Sequence, residues 1–308
     1  NIDGADSGTL NGAAFSGMVN LTGGTNVDTF NIETSGTLSG VIAGGVGTDE
    51  ITHEDGTNTW DITALDAGDV TDLGGSFSSI ENLTGGSGQD TFNISGGNLT
   101  GSLSGAAGDD NFVFSDTRTI GGSVDGGADT DTLDLALYTT NVDFTISGAG
   151  SVDGLAGSTA GTPNPVGGTF DNIDSVISDG EGGSTLTGAD TDNTWNIDGA
   201  DSGTLNGAAF SGMANLVGLS KVDTFNIGSG ASLSGDIDGG GGVLDEITQA
   251  DGVNEWNIKT DNAGDVDDIG GSFSGIEILT GGTGDDTFNI WSSATLAGDI
   301  TGGDGNDK

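Results

Sequence analysis

The sequence predicts an all-β chain wound as a parallel β-helix, a β-solenoid whose coils are about 20 residues long. Three observations predict it: self-similarity at a fixed period, apolar residues alternating within short strands, and Gly/Asp-rich turns recurring in phase with both. No comparable helical stripe of apolar residues exists.

Self-similarity is visible at two lengths. Residues 1–18, NIDGADSGTLNGAAFSGM, recur unchanged at 196–213, and Thr29-Phe30-Asn31-Ile32 aligns with Thr224-Phe225-Asn226-Ile227. After one inserted residue Glu50-Ile51-Thr52 aligns with Glu246-Ile247-Thr248, Trp60 with Trp256, Phe77 with Phe273 and Phe92 with Phe288. A long repeat thus spans 1–195 and a partial copy 196–308, within a single continuous solenoid over 1–308. Inside it runs a shorter step. Asp28 to Asp49 is 21 residues, Asp90, Asp110 and Asp131 keep that step, Asp223 to Asp245 is 22 and Asp286 to Asp307 is 21.

Each short unit reads as a turn, a strand such as Asp-Thr-Phe-Asn-Ile, a polar link and a second strand such as Thr37-Leu38-Ser39-Gly40-Val41-Ile42. The period of two places Phe30, Ile32, Phe92, Ile94, Phe225, Ile227, Phe288 and Ile290 inside and their Thr and Asn neighbours outside. A propeller blade needs about 40–50 residues, so the shorter period selects the solenoid. About fifteen coils at about 4.8 Å each predict a rod on the order of 70 Å long. Phe30, Trp60, Phe92, Phe112, Trp195, Phe225, Trp256 and Phe288 read as a buried ladder and not as a sugar-stacking platform, because outward polar residues flank each of them. Trp291 falls outside the repeat and is expected to be exposed. The least regular stretch is 144–194. There Pro163 and Pro165, which lack a ladder donor, predict a loop protruding over 155–169.

Composition limits the functions open to such a chain. Of 308 residues 62 are Gly, 48 are acidic and 4 are basic, giving a net charge of -44. Four cations, Arg118, Lys221, Lys259 and Lys308, cannot make the phosphate contacts that hold nucleic acid. No run approaches the roughly 20 apolar residues of a membrane helix, so no transmembrane segment is expected. With no Cys there is neither a disulfide framework nor a thiol ligand.

Gly44-Gly45-Val46-Gly47-Thr48-Asp49-Glu50-Ile51-Thr52 fits the nonapeptide G-G-x-G-x-D-x-U-x, as do Gly85 through Asn93 and Gly281 through Asn289, and Gly302-Gly303-Asp304-Gly305-Asn306-Asp307 begins another. These residues resemble the repeats-in-toxin signature. The whole chain looks like the repeat region of giant bacterial surface proteins and adhesins related to that family. The resemblance implies secretion to the bacterial cell surface, a parallel β-roll or β-helix, and calcium in the turns. Here one nonapeptide occurs per coil, and several are degenerate: Asn26 replaces the third glycine before Asp28, Asp129 does so before Asp131, and Ala106 replaces the second before Asp110. Leu219-Ser220-Lys221 erases the motif before Asp223.

The chemistry of these turns suits calcium independently. Glycines let backbone carbonyls converge while Asp supplies a hard anionic oxygen, and calcium takes about 6–8 such ligands. Carboxylates stacked one coil apart repel by roughly 1 kcal/mol even at the dielectric of water. The candidate ligands are Asp28, Asp49, Asp90, Asp109, Asp110, Asp131, Asp245, Asp285, Asp286, Asp304 and Asp307, with Ca2+ expected at a subset of turns. An Asp closing a turn through its own backbone is the plain alternative.

Catalysis is not expected. The carboxylates recur with the repeat and single out no acid–base pair, and His53, the one His, is replaced by Gln249 in the second copy. Outward Thr-x-Asn pairs such as Thr29 and Asn31 are similar to ice-binding solenoids but recur about every 62 residues, too sparsely for a continuous array. The sequence therefore predicts a structural extracellular protein, an adhesin stalk or surface fibre stabilised by calcium. The alternative is a module binding a carbohydrate, a cell-surface ligand or ice, with a polysaccharide-degrading β-helix behind it. Asn1 lies inside one repeat and Lys308 inside a nonapeptide, so further copies or repeats end to end are the expected partners.

Overall fold

A computed structural model describes residues 1–54, 56–180, 183–250 and 252–308. Every regular element in them is a strand, and the long parallel ladders are those of a β-solenoid. The chain forms two compact units, one of residues 1–140 and 149–176, the other of 141–148 and 177–308.

In the first unit one ladder runs through Ile2–Gly4, Thr29–Ile32, Glu50–His53, Asn82–Ser87, Leu103–Ala107, Val124–Ala128 and Phe170–Ile173, each parallel to the next. Its register stacks like on like: Phe30 on Ile51, Ile51 on Leu83, Leu83 on Leu103, Leu103 on Val124 and Val124 on Phe170. A second ladder stacks Thr59–Ala64, Thr91–Ile94, Asn111–Ser115 and Thr132–Leu137 in parallel, with Trp60, Phe92, Phe112 and Leu133 in one file. The rings of Trp60 and Phe92 lie 5.6 Å apart and those of Phe92 and Phe112 5.1 Å apart, stacked in nearly parallel planes. In the second unit Asn193–Gly199, Asp223–Ile227, Glu246–Gln249, Ile278–Thr280 and Ile300–Thr301 form the corresponding parallel ladder. There Trp195 stacks on Phe225 at 5.5 Å and Trp256 on Phe288 at 5.7 Å.

The aromatic ladder is therefore core, as the strand period requires: Trp60, Phe92, Phe112, Trp195, Phe225 and Trp256 are fully buried, with Ile32, Ile94 and Ile227. Phe30 and Phe288 are half-buried and Ile290 is exposed. Phe288 and Ile290 sit on the outermost strand of their ladder, and Phe30 on a strand whose outer neighbour pairs with it only at Ile32, so fewer neighbouring residues cover them.

Three findings depart from the sequence expectation. Among the described residues four meanders interrupt the parallel winding. After Ile2–Gly4, Thr59–Ala64, Asn193–Gly199 and Glu255–Thr260 the chain doubles back through two antiparallel strands before resuming its climb. Two-residue turns make this possible, as at Asn11-Gly12, where φ is 49° and 80°, the left-handed pair that a tight hairpin needs. A coil containing a meander advances 30–32 residues where a plain one advances 20–22.

The predicted strand over 37–42 is reduced to isolated bridges at Thr37 and Leu38 and the short pair Ile42–Ala43. The protruding loop over 155–169 is corrected as well. Leu155–Ala160 is a strand antiparallel to Phe170–Ile173, and Leu155, Pro165 and Val166 are buried. Thr159 Oγ1 accepts the Val166 N–H and donates to Asn164, so this stretch closes on itself against the sheet. The prolines sit in its turn, where no ladder N–H is required.

Candidate functional site: a line of buried aspartates

Strand alternation sends each strand-opening Asp inward. In Asp223–Ile227 residues Asp223, Phe225 and Ile227 are buried while Thr224 and Asn226 are not, so the acid lies in phase with the core side chains. A carboxylate there must find a partner, because an unpaired buried charge is costly. The partner is the preceding coil. Oδ1 of Asp49 accepts the backbone N–H of Asp28 at 2.8 Å, Oδ1 of Asp110 that of Asp90 at 2.7 Å and Oδ1 of Asp131 that of Asp110 at 2.8 Å. Likewise Asp245 accepts from Asp223, and Asp307 from Asp286.

The lines have defined ends. Asn58, Asn193 and Asn254, each two residues before a core Trp, donate their N–H to Asp90, Asp223 and Asp286. At the far end Glu81, Asp174 and Glu277 accept from Asp49, Asp131 and Asp245.

The second oxygen is different. Oδ2 of Asp49, Asp90, Asp110, Asp131, Asp223, Asp245 and Asp286 is buried and has no hydrogen-bond partner among the described residues. It packs on the first glycine of its own turn: a Cβ on Gly105 would fall 2.0 Å from Asp110 Oδ2 and 2.5 Å from the Gly126 carbonyl oxygen. That glycine is thus required by the carboxylate it covers. Burial, reinforced by neighbouring acids, pushes Asp110 up to about 7 and Asp131 up to about 8. Burial likewise raises Asp90, Asp223 and Asp245 to about 6.

Eight of the eleven candidate ligands, Asp28, Asp49, Asp90, Asp110, Asp131, Asp245, Asp286 and Asp307, lie on these lines. Asp109, Asp285 and Asp304 do not. They are exposed on the outer rim of the turns, where Asp109 accepts the Thr130 N–H and Asp285 that of Asn306. Among the described residues no three His, Asp or Glu side chains converge as a metal-holding group. A cation at these turns would draw on single carboxylates and backbone carbonyls, and the orphaned Oδ2 atoms are the donors suited to it.

Asp223 is a member that the turn motif does not reveal, since Leu219-Ser220-Lys221 stands where the glycines should be. Its signal is the following Thr-Phe-Asn-Ile, shared with Asp28, Asp90 and Asp286. The outward Asn residues are also engaged coil to coil: Asn31 donates to Asn1, Asn93 to Asp61, Asn226 to Asn196 and Asn289 to Asn257. Trp291 is exposed, as its place outside the repeat predicts, and Lys259 Nζ lies 5.8 Å from its ring centre while also pairing with Asp265.

Compared with protein-family models the chain matches none, and no curated protein matches it. No helix among the described residues is long and apolar enough to cross a membrane.

Proposed function

We propose that this chain is a structural element of an extracellular surface protein or adhesin, a stalk or fibre segment of the repeats-in-toxin kind. The observation that carries this reading is the aspartate line itself, which continues through Asp223 although the glycine turn before it is erased. Buried polar groups here join coil to coil and build no singular place. A catalytic pair needs two carboxyls set apart by their surroundings; these share one environment, repeated.

Calcium belongs to the proposal at a subset of turns, held through orphaned Oδ2 atoms and turn carbonyls, where its charge would offset the stacked carboxylates. Weak turn sites fill at extracellular calcium levels, which supports the location. Thermal unfolding with added calcium and with excess chelator tests this part.

Trp291 favours a second reading, a glycan-binding module. An exposed indole beside Lys259 and Asp265 offers a stacking face with hydrogen-bonding groups at its edge. A glycan panel separates the two readings. Saturable binding abolished by Trp291→Ala selects the module, and no binding or turnover across the panel selects the structural element.

A further inference from the structure

The two copies of the long repeat differ at one corner of the second unit. Counted back from Asp223 and Asp245, Leu219 stands where the first copy has Gly24, and Leu244 where it has Thr48. The residue inserted in the second copy falls within 239–244, the turn that carries Val243, while Val222 keeps the place of Val27 and Val46 is the single aliphatic residue of the shorter turn. Val243 is 75% exposed and Leu244 53%, and Leu219 and Val222 are exposed beside them. Both turns lie inside the parallel ladder: their strands, Asp223–Ile227 and Glu246–Gln249, have Asn193–Gly199 on one side and Ile278–Thr280 on the other.

Backbone geometry does not ask for leucine at either place. Leu219 is held at φ 81° and Leu244 at φ 133°, where a bulky side chain is disfavoured and glycine is at ease. Strained residues that bury little point to a role outside the fold. The two turns stack directly. Gly241 donates its N–H to the Leu219 carbonyl at 2.6 Å, and Asp223, next to Val222, donates to Asp245, next to Leu244. Leu219, Val222, Val243 and Leu244 thus form one aliphatic ridge across two coils, and exposed apolar groups gathered in this way mark interaction sites.

The ridge borders an acidic recess of about 420 Å³, lined by Asp190, Val217, Leu219, Ser220, Asp238 and Gly240. Asp190 Oδ1 accepts both the hydroxyl and the N–H of Ser220, which with Lys221 beside them hold its carboxyl below the ordinary Asp value. Asp238 Oδ1 accepts from Gly240 and Ser274. In both carboxylates Oδ2 is left without a donor among the described residues. Asp192, which takes the Val222 N–H, adds a third acid against the single ammonium of Lys221. An aliphatic ridge with a net negative border complements a partner that is both aliphatic and basic. A second copy, itself carrying -44, is repelled.

We propose that Leu219, Val222, Val243 and Leu244 form a docking surface for a basic, aliphatic peptide segment of another protein. Its aliphatic side chains lie along the ridge, and its ammonium or guanidinium groups meet Asp190, Asp192 and Asp238. The second copy of the repeat thereby acquires a partner that the first, with Gly24 and Thr48 at the same places, is not built to hold. This goes beyond the structural reading above and does not rest on it.

Fluorescence anisotropy with a labelled peptide of alternating Leu and Lys tests the ridge, in salt that screens the -44 charge. The peptide is expected to bind at least about tenfold more tightly than one of alternating Ser and Lys, which carries the same charge. A peptide of alternating Leu and Glu is expected not to bind. The gap between the two basic peptides should close in the Leu219→Gly, Leu244→Gly double variant, whose glycines suit the turn conformation. It should shrink in Val243→Ser, which changes an exposed side chain outside the left-handed region, and stay the same in Val152→Ser, exposed in the first unit. Equal binding of the two basic peptides to the parent, or an undiminished gap in both ridge variants, overturns the proposal. Self-association of the chain that Val243→Ser abolishes also overturns it, by giving the ridge to a second copy. The structural reading is decided separately, by the glycan panel.

Discussion

The backbone N–H of Asp90 donates to Oδ1 of Asp110 at 2.7 Å, inside the protein and one coil away. A side chain thereby satisfies a buried amide at the point where the turn interrupts the ladder. The same carboxylate seals its own glycine turn with its other oxygen, so turn, strand start and stacking contact depend on one residue.

Removing that acceptor should be costly, whereas replacing it by an amide should not. Asp110→Ala strands the Asp90 N–H, at about 1–3 kcal/mol, and should lower the melting temperature by several degrees. Asp110→Asn keeps an acceptor and removes the charge, and Asn58, Asn193 and Asn254 already stand at line positions. Its melting temperature at pH 8 should equal or exceed that of the parent. Equal losses in both variants would show that the carboxylate's charge, not its acceptor, holds the joint.

The glycine under the carboxylate gives a steric prediction. In Gly105→Ala the new Cβ meets Asp110 Oδ2 at 2.0 Å and the Gly126 carbonyl oxygen at 2.5 Å, and the latter is backbone that cannot swing aside. Overpacking of this kind costs about 1–3 kcal/mol. Gly12→Ala meets no atom within 4 Å but sits at φ 80°, so its smaller cost would come from backbone strain alone. Calorimetry should rank Gly105→Ala as the more destabilised of the two.

Much of this is legible in the sequence. Thr-Phe-Asn-Ile alternation gave the inward face, and the 20–22 residue step gave the stacked acids. The meanders are not legible from the period, because two added strands lengthen a coil without changing its apolar spacing; Asn11-Gly12 and its copy Asn206-Gly207 carry a local signal for two of them. Adjacent acids were confounded for a related reason. Asp109 and Asp110 belong to one turn, yet successive residues point to opposite faces, so one is exposed and the other sealed. Asp223 escaped because the glycine motif marks the shape of a turn, while the buried position belongs to the strand that follows.

Stability should rise as pH falls from about 8 toward about 5 in calcium-free buffer. Burial raises Asp90, Asp223 and Asp245 to about 6, Asp110 to about 7 and Asp131 to about 8, against 3.8 for an ordinary Asp carboxyl. Between 3.8 and those values the folded chain binds more protons than the unfolded one, so unfolding free energy decreases as pH increases. The gain is complete below the unfolded value and lost as pH climbs through the folded ones. Relief of the overall negative charge has the same sign, so the Asp110→Asn, Asp131→Asn double variant isolates the line: its melting temperature should vary less with pH between 5 and 8 than that of the parent. Identical slopes would place the titration elsewhere.

Protons and calcium compete for the same orphaned oxygens, which makes their interplay the sharper test of the proposed cation. At pH 8 the line carries its greatest charge, and calcium at about 100 times its dissociation constant should stabilise the fold by about 2.7 kcal/mol per independent site. At pH 5 Asp90, Asp110, Asp131, Asp223 and Asp245 hold protons, and the same addition should raise the melting temperature by much less. Magnesium should substitute poorly, since it demands a tight octahedral shell that these single carboxylates and turn carbonyls are not arranged to complete. Replacing Asp110 and Asp131 by Asn should diminish the calcium response at pH 8, while Asp109→Asn, on the exposed rim, should leave it nearly intact. A rim variant that abolishes the response while the inner pair does not would move the cation from the buried line to the outer turns. A melting temperature indifferent to calcium and chelator at pH 8 would leave protonation as the means by which the stacked aspartates are neutralised.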